Sequence, residues 1–210
     1  MPEILNVIQK TKQKFLNMYE LTVKDRTGRI HPYYVASRAE TEENLKLNTG
    51  KNRADGVIMY AICKGEEDRI VLIRQYRYAI GGYIYELPAG LVDEGEDYLQ
   101  AAVREMKEET GLEFCPSVYD SCYSEPFFTT VGMTDESCRT VFGEAFGEPS
   151  QAFLEASEDI EVVLADRKMA KEIMKTEKLS VMAGYLLMNF IHSEDPFWFL
   201  NDHSDMIKER

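Results

Sequence analysis

GLVDEGEDYLQAAVREMKEETGL, which runs from Gly90 to Leu112, contains a crowded set of carboxylates. Glu105, Glu108 and Glu109 follow the i, i+3 and i+4 spacing that places side chains on one face of an α-helix. Like charges at this spacing destabilise a helix by about 0.2–0.5 kcal/mol per pair. They also lie toward the C-terminal end, where the helix dipole disfavours negative charge. These carboxylates therefore need either open solvent or a bound cation.

The same stretch carries the signals of a helix. We expect it to begin near Glu96 or Asp97 and to end at Gly111, because glycine accepts the left-handed conformation that stops a helix. Apolar residues recur at helical spacing on a face that the glutamates do not share. These are Leu99, Ala102, Val103 and Met106.

A hard divalent cation would offset the repulsion between the three glutamates. Mg²⁺ prefers carboxylate oxygens and often shares its coordination shell with the phosphates of a substrate. Such a metal can lower the pKa of a bound water and neutralise charge on a departing phosphate. Taken alone, EMKEE (105–109) more often marks a solvated helix face than a metal site. The wider spacing of the stretch decides between the two.

Composition excludes several classes of function. The net charge of −13 over 210 residues is unsuited to general binding of nucleic acid, whose phosphates require a basic surface. No apolar run approaches the ~18 residues of a membrane span. The N-terminal MPEILNVIQKTKQKF lacks the apolar core of a signal peptide, so we expect a cytoplasmic protein without a membrane partner. The four cysteines include no CxxC pair, which argues against a zinc site or a disulfide framework.

The rest of the chain alternates strand and helix patterns. Residues 1–50 suggest a short helix over Ile4–Asn17, followed by a hairpin made of MYELTVKDR and IHPYYVASRAE. From 51 to 210 the pattern predicts strands at GVIMYAICK, RIVLIRQYR, SVYDSCYSEPFF, CRTVFGEAFG and IEVVLAD, and two closing helices at Arg167–Thr176 and Ser180–His192. This order predicts an α/β (α+β) fold with a small N-terminal hairpin region.

The spacing Gly-x5-Glu-x7-Arg-Glu-apolar-x-Glu-Glu-x-Gly-apolar fixes nine positions of the 23-residue stretch. In this pattern the chain resembles the Nudix hydrolases. The resemblance implies an α/β/α sandwich with a mixed β-sheet. It also implies hydrolysis, dependent on Mg²⁺ or Mn²⁺, of a nucleoside diphosphate linked to another group. The implied metal ligands are the carboxylates of Glu105, Glu108 and Glu109 and the backbone carbonyl of Ala89. The implied structural positions are Gly90, Glu96, Arg104 and Gly111.

Outside this motif the chain resembles the ADP-ribose pyrophosphatase subfamily, over about residues 20–195. RQYR (74–77), ELPAGLVDEGE (86–96) and DIEVVLADRKMAKEIMKTEKLS (159–180) carry this resemblance. It implies conversion of ADP-ribose to AMP and ribose 5-phosphate, and a homodimer to which residues 1–50 contribute. We expect Arg77, Arg53 and Glu86 to contact the substrate. Besides Glu109, the expected catalytic carboxylates are Glu158, and after it Glu155, in the loop before the last strand.

One departure leaves the substrate open. Many relatives in this subfamily have Ser-Pro and a glycine-rich turn at the position where this chain has SEPFFTTVGMTDE (124–136). GDP-mannose or another nucleotide sugar is therefore an alternative substrate. A non-catalytic domain that senses a nucleotide is an alternative of another class, although all the glutamates of the motif are present.

Overall fold

The protein is described by a computed structural model, which covers residues 1–154 and 158–201. The strands of this part of the chain are β1 (Glu3–Gln9), β2 (Asn17–Lys24), β3 (Ile30–Ser37), β4 (Gly56–Cys63), β5 (Arg69–Arg77), β6 (Gly82–Glu86), β7 (Ala89–Leu91), β8 (Glu113–Pro116), β9 (Phe127–Phe128), β10 (Ser137–Phe146) and β11 (Ile160–Ala165). The helices are α1 (Lys46–Thr49), α2 (Tyr98–Thr110), α3 (Arg167–Thr176) and α4 (Val181–His192). They form two compact units. The first consists of Met1–Asp55 and Pro126–Cys138, and the second of Gly56–Glu125 and the chain from Arg139 onward.

The first unit is built on an antiparallel sheet with the order β1-β2-β3. The helix predicted over Ile4–Asn17 is wrong, because Glu3–Gln9 form β1 and pair with β2 in a register that runs from Glu3↔Lys24 to Gln9↔Tyr19. Ile4, Val7 and Ile8 favour a strand once a partner is present. The predicted hairpin of β2 and β3 is found, with its turn closed by Asp25, whose side chain accepts from the Thr27 and Arg29 amides.

A half-buried ion pair between Lys46 and Asp55 contacts Ser137 and so links the two segments of the first unit. Lys46 Nζ lies 2.6 Å from Asp55 Oδ2, which also accepts from the Ser137 amide at 2.9 Å. Lys46 is the first residue of the four-residue helix α1. Beside it, β9 pairs with Ser137 and Cys138 at the start of β10.

The second unit is a sheet covered by helices on both faces. The strand order is β11-β5-β4-β10-β8, with β6 added to β5 and β7 added to β4. On one face Tyr60, Ile62 and Leu72 pack with residues of α3 and α4. The residues that alternate with them, such as Ala61 and Val71, pack with α2 on the other face. The predicted α/β/α sandwich is therefore confirmed.

Local signals placed most of the second unit correctly. Ser180 is the N-cap of α4, since its hydroxyl accepts from the Ala183 amide at 3.4 Å. The strand predicted at 117–128 is wrong over most of its length. There Asp120 caps a short 3-10 turn over Ser121–Tyr123. Only Phe127–Phe128 of this segment form a strand, β9, and the strand that pairs with the end of β10 lies earlier, as β8. No helix in the described part of the chain is long and apolar enough to cross a membrane.

Candidate functional site

Helix α2 is fixed at both ends and by its apolar side. The Asp97 carboxylate accepts from the Leu99 amide at 2.9 Å, and Gly111 closes the helix with φ of 73°. Ala101, Ala102 and Met106 are fully buried against the sheet. The glutamates of the motif are thereby held beside β7.

Arg104 organises these carboxylates with all five of its N–H donors. Nε and Nη2 make a bidentate pair with Glu96 at 3.0 and 2.9 Å. Nη1 donates to Glu105 Oε1 at 2.8 Å and to Glu108 Oε2 at 3.0 Å, and Nη2 also donates to the Leu91 carbonyl at 3.0 Å. These bonds lower the pKa of Glu96 and raise that of Arg104. A planar fork is needed for this arrangement, so lysine could not replace it.

Glu109 is a buried carboxylate with only 4% of its surface exposed. Burial raises its pKa well above the usual value, and one hydrogen bond, from the Ala89 amide to Oε2 at 2.9 Å, opposes that rise. Since the N–H and C=O of a residue in an antiparallel strand point to the same side, the Ala89 carbonyl also faces this carboxylate.

Glu105 lies directly against Gly90. A Cβ atom on residue 90 would overlap the carboxyl carbon and both oxygens of Glu105, so only glycine leaves room for that side chain. Burial raises the pKa of Glu105, and the hydrogen bond and charge of Arg104 oppose the rise. The turn glycine of the motif and its first helical glutamate are thus one packed unit.

Glu158 is brought to the same site by the pairing of β11 with β5. Ile160 lies opposite Gln75, and the Tyr76 amide donates to the Asp159 carbonyl at 3.1 Å. Continued by one residue, this register places Glu158 opposite Arg77. The negative charge of Glu158 contributes to the raised pKa of both Glu105 and Glu109. The other predicted catalytic carboxylate, Glu155, lies outside the described residues.

The predicted substrate residues Arg77 and Glu86 are paired with each other. Arg77 Nε donates to Glu86 Oε2 at 2.6 Å across neighbouring strands. Arg77 has the same parity in β5 as Val71, which packs with α2, and its charge opposes the raised pKa of Glu109. Arg53 belongs to the first unit, where its carbonyl accepts from Ser137 Oγ at 3.4 Å, and its substrate role stays a prediction.

The carboxylate oxygens of Glu105, Glu108 and Glu109 suit a hard divalent cation, although they do not point to one common centre. Among residues 1–154 and 158–201, no three His, Cys, Asp or Glu side chains form a ready metal site. The reason is that Glu105 and Glu108 bind Arg104 while Glu109 binds the Ala89 amide. Buried carboxylate oxygens are the preferred ligands of Mg²⁺, and a cation would relieve the burial of two negative charges. Binding it requires these oxygens to turn toward a shared centre.

One contact near the site was not anticipated from the sequence. Tyr83 donates to Asp159 Oδ2 at 2.6 Å, although the two residues are 76 positions apart. Only the pairing of β6 and β11 with β5 brings them together. No local spacing signal could have revealed this contact.

Comparison with known proteins agrees with this geometry. A family model described as the NUDIX domain matches residues 52–179. Putative nudix hydrolase 2 of Caenorhabditis elegans is 39% identical over 122 residues, which are 54% of this chain and 52% of the relative. The ADP-ribose pyrophosphatase of Saccharomyces cerevisiae is 30% identical over 139 residues, 62% of this chain and 55% of the relative.

A solved structure of an ADP compounds hydrolase shares the fold. It superposes with a TM-score of 0.64 at 16% identity, over 90% of this chain and 94% of that one. The chain spans about half the length of the curated relatives named above. Because the family model covers more than half of the residues, the chain belongs to the Nudix family.

Proposed function

We propose that the protein is a divalent-metal-dependent hydrolase that cleaves the pyrophosphate bond of ADP-ribose, giving AMP and ribose 5-phosphate. The observation that carries the proposal is a pair of neighbouring carboxylates beside the Ala89–Gly90 turn. Glu109 is buried and accepts from the Ala89 amide, and Glu105 is largely buried and accepts from Arg104. Two buried like charges are costly in the absence of a cation. Few structural roles would require them.

The metal-binding residues would be Glu105, Glu108 and Glu109 with the carbonyl of Ala89. Bound Mg²⁺ or Mn²⁺ would activate a water and neutralise charge on the diphosphate. Arg104 keeps the carboxylates at the correct spacing through its hydrogen bonds.

The remaining residues act on the proton and the phosphates. The register of β11 with β5 brings Glu158 opposite Arg77, on the face of the sheet that packs with α2. We assign Glu158 the role of general base that takes the proton of the attacking water. Arg77 donates to Glu86 through Nε, and we assign its two Nη groups the role of donors to the phosphate oxygens.

The choice of ADP-ribose rests on similarity. The yeast relative is named an ADP-ribose pyrophosphatase, and a mouse relative that is 33% identical over 101 residues is named an ADP-sugar pyrophosphatase. RQYR and ELPAGLVDEGE supply the paired Arg77 and Glu86 of this site.

The experiment is a substrate panel with Mg²⁺ and Mn²⁺ in which the products are identified. We expect the highest kcat/KM for ADP-ribose, with AMP and ribose 5-phosphate released. A much higher kcat/KM for GDP-mannose or another nucleotide sugar would contradict the assignment of ADP-ribose as the substrate. Tight binding of ADP-ribose without turnover in either metal would instead support a sensing domain.

We also propose a homodimer in which residues 1–50 take part. The three-stranded sheet of the first unit exposes Ile8, Met18, Ile30 and Tyr34, which register and alternation place on one face. Analytical ultracentrifugation should give twice the mass of the chain, and Ile30→Lys should reduce it to a monomer. A monomeric wild-type protein would contradict this proposal. A cytoplasmic location and the absence of nucleic-acid and membrane partners stay predictions.

A further inference from the structure

Asp159 is held at two points, one on β6 and one on β5. Its carboxylate accepts from Tyr83 Oη at 2.6 Å, and its carbonyl accepts from the Tyr76 amide at 3.1 Å. The ring of Tyr83 is itself fixed, since the guanidinium of Arg74 stacks over it at 4.0 Å and Tyr76 packs against its edge at 5.4 Å. This is a built contact, in which both the donor and the acceptor are immobilised.

Because Asp159 is held in this way, the strand register determines the face of the sheet to which its neighbour Glu158 points. Tyr83 lies opposite Tyr76 in the pairing of β6 with β5, so Tyr83, Tyr76 and Asp159 share one face of the sheet. Side chains of successive residues in an extended chain point to opposite faces. With Asp159 fixed on that face, Glu158 must point to the other, where Glu109 lies.

The opposite face is the one that carries the site. Val71 of β5 packs with Ala101, Ala102 and Met106 of α2, and Gln75 and Arg77 have the same parity in the strand. The register that pairs Ile160 with Gln75 and Asp159 with Tyr76 brings Glu158 opposite Arg77, on this face. A residue on one face of the sheet thus controls a carboxylate on the other.

We infer that Tyr83 is a positioning residue for Glu158, and that its hydrogen bond to Asp159 holds Glu158 toward Glu105 and Glu109. The inference rests on the proposed function, because it assumes that Glu158 acts in hydrolysis. Tyr83 has no contact with the reacting atoms in this assignment and acts only through Asp159.

Loss of the anchor should not unfold the strand. β11 pairs with β5 at six positions from Ile160 to Ala165, and Gln151 Nε2 independently donates to the Ile160 carbonyl at 2.7 Å. Removal of the Tyr83 hydroxyl should therefore loosen the backbone just before Ile160 and leave the sheet intact. A specific loss of rate is the expected signature.

The test is steady-state hydrolysis of ADP-ribose with Mg²⁺ by Tyr83→Phe. We expect kcat to fall by about 10- to 100-fold, the effect of misplacing a catalytic group by about 1 Å, while KM and Tm stay near the wild-type values. In a Glu158→Gln background the same substitution should cause no further loss, because the group that it positions is already absent. Asp159→Asn, which keeps an oxygen acceptor, should retain more activity than Asp159→Ala.

The matched control is Tyr60→Phe, which also removes a tyrosine hydrogen bond, from Tyr60 Oη to the Pro196 carbonyl at 3.0 Å in the core. It should lower Tm and leave kcat unchanged. A wild-type kcat in Tyr83→Phe, or an equal further loss in the Glu158→Gln background, would overturn the inference.

Hydrogen exchange separates this inference from the proposed function. Tyr83→Phe should speed exchange of the Tyr76 amide, which donates to Asp159, without speeding exchange of the β11 amides. This readout needs no turnover. If the wild-type protein does not hydrolyse ADP-ribose, the proposed function is wrong. If exchange of the Tyr76 amide is unchanged in Tyr83→Phe, the inference that Tyr83 anchors Asp159 is wrong, whatever the substrate.

Discussion

Gly90→Ala tests the packing of the turn against the metal-binding carboxylates. The backbone of Gly90 does not have the positive φ that excludes alanine, so the added methyl group itself is the perturbation. It would overlap the carboxyl group of Glu105, which must then move or force the turn away from α2. Either response disturbs the same group of ligands.

The size of the effect follows from these two responses. Overpacking of a close contact costs about 1–3 kcal/mol. Displacement of Glu105 instead breaks its bond to Arg104, a charged hydrogen bond in which Glu105 is 13% exposed, at a cost of about 1.5–3 kcal/mol. Both routes predict a loss of ~1–3 kcal/mol, which is a fall in Tm of roughly 2–12 °C for a chain of this size.

Thermal unfolding and ADP-ribose hydrolysis in Mg²⁺ are the two assays. We expect kcat/KM to fall at least about tenfold, since metal ligands depend strongly on their supporting contacts. Gly184→Ala is the matched control, because a Cβ there meets no atom within 4 Å and residue 184 lies inside α4. It should raise stability by about 0.5–1 kcal/mol. If Gly90→Ala had the Tm and activity of the wild-type protein, the close packing of Gly90 against Glu105 would not matter for stability or for the site.

Three further outcomes follow from the charges. Arg104→Lys should lower the unfolding free energy by about 1–3 kcal/mol in chemical denaturation, because an ammonium cannot reproduce the bidentate pair with Glu96; an unchanged midpoint would contradict this. For Glu109, burial raises the folded pKa above the unfolded value, so the metal-free protein binds the proton more tightly when folded and loses stability as pH rises between the two pKa values. Glu109→Gln in EDTA should therefore raise Tm at neutral pH and flatten its dependence on pH, and a lower Tm would count against this assignment. Burial and the carboxylates of Glu136 and Asp55 raise the pKa of Cys138 to about 11, so iodoacetamide should label it far more slowly at pH 8 than at pH 11.

The elements predicted correctly are those whose signals are local. Helix α2 has an apolar stripe, an N-cap at Asp97 and a C-terminal glycine, and α3 and α4 have Asp166 and Ser180 as caps. The motif spacing placed Glu105 and Glu108 within reach of Arg104, because one helix sets all three positions.

The elements that were missed depend on partners far away in sequence. β1 exists because β2 pairs with it, and the sequence of residues 4–17, which includes most of β1, resembles a short helix as readily as a strand. Tyr83 reaches Asp159 only after β6 and β11 have both paired with β5. Arg104 can make its bidentate pair with Glu96 only because the turn before α2 brings Glu96 back toward the helix. The spacing of the motif residues in the sequence does not predict the conformation of that turn.

The role of Glu105 and Glu109 as ligands of a catalytic metal is tested by metal-dependent hydrolysis in the wild-type protein and in Glu105→Gln and Glu109→Gln. Both substitutions keep the size of the side chain and remove its charge. We expect the wild-type protein to release AMP from ADP-ribose only when Mg²⁺ or Mn²⁺ is present, and both variants to fall to background. We also expect Mg²⁺ to raise the Tm of the wild-type protein and not that of the variants. Wild-type rates in both variants at saturating Mg²⁺ would contradict it.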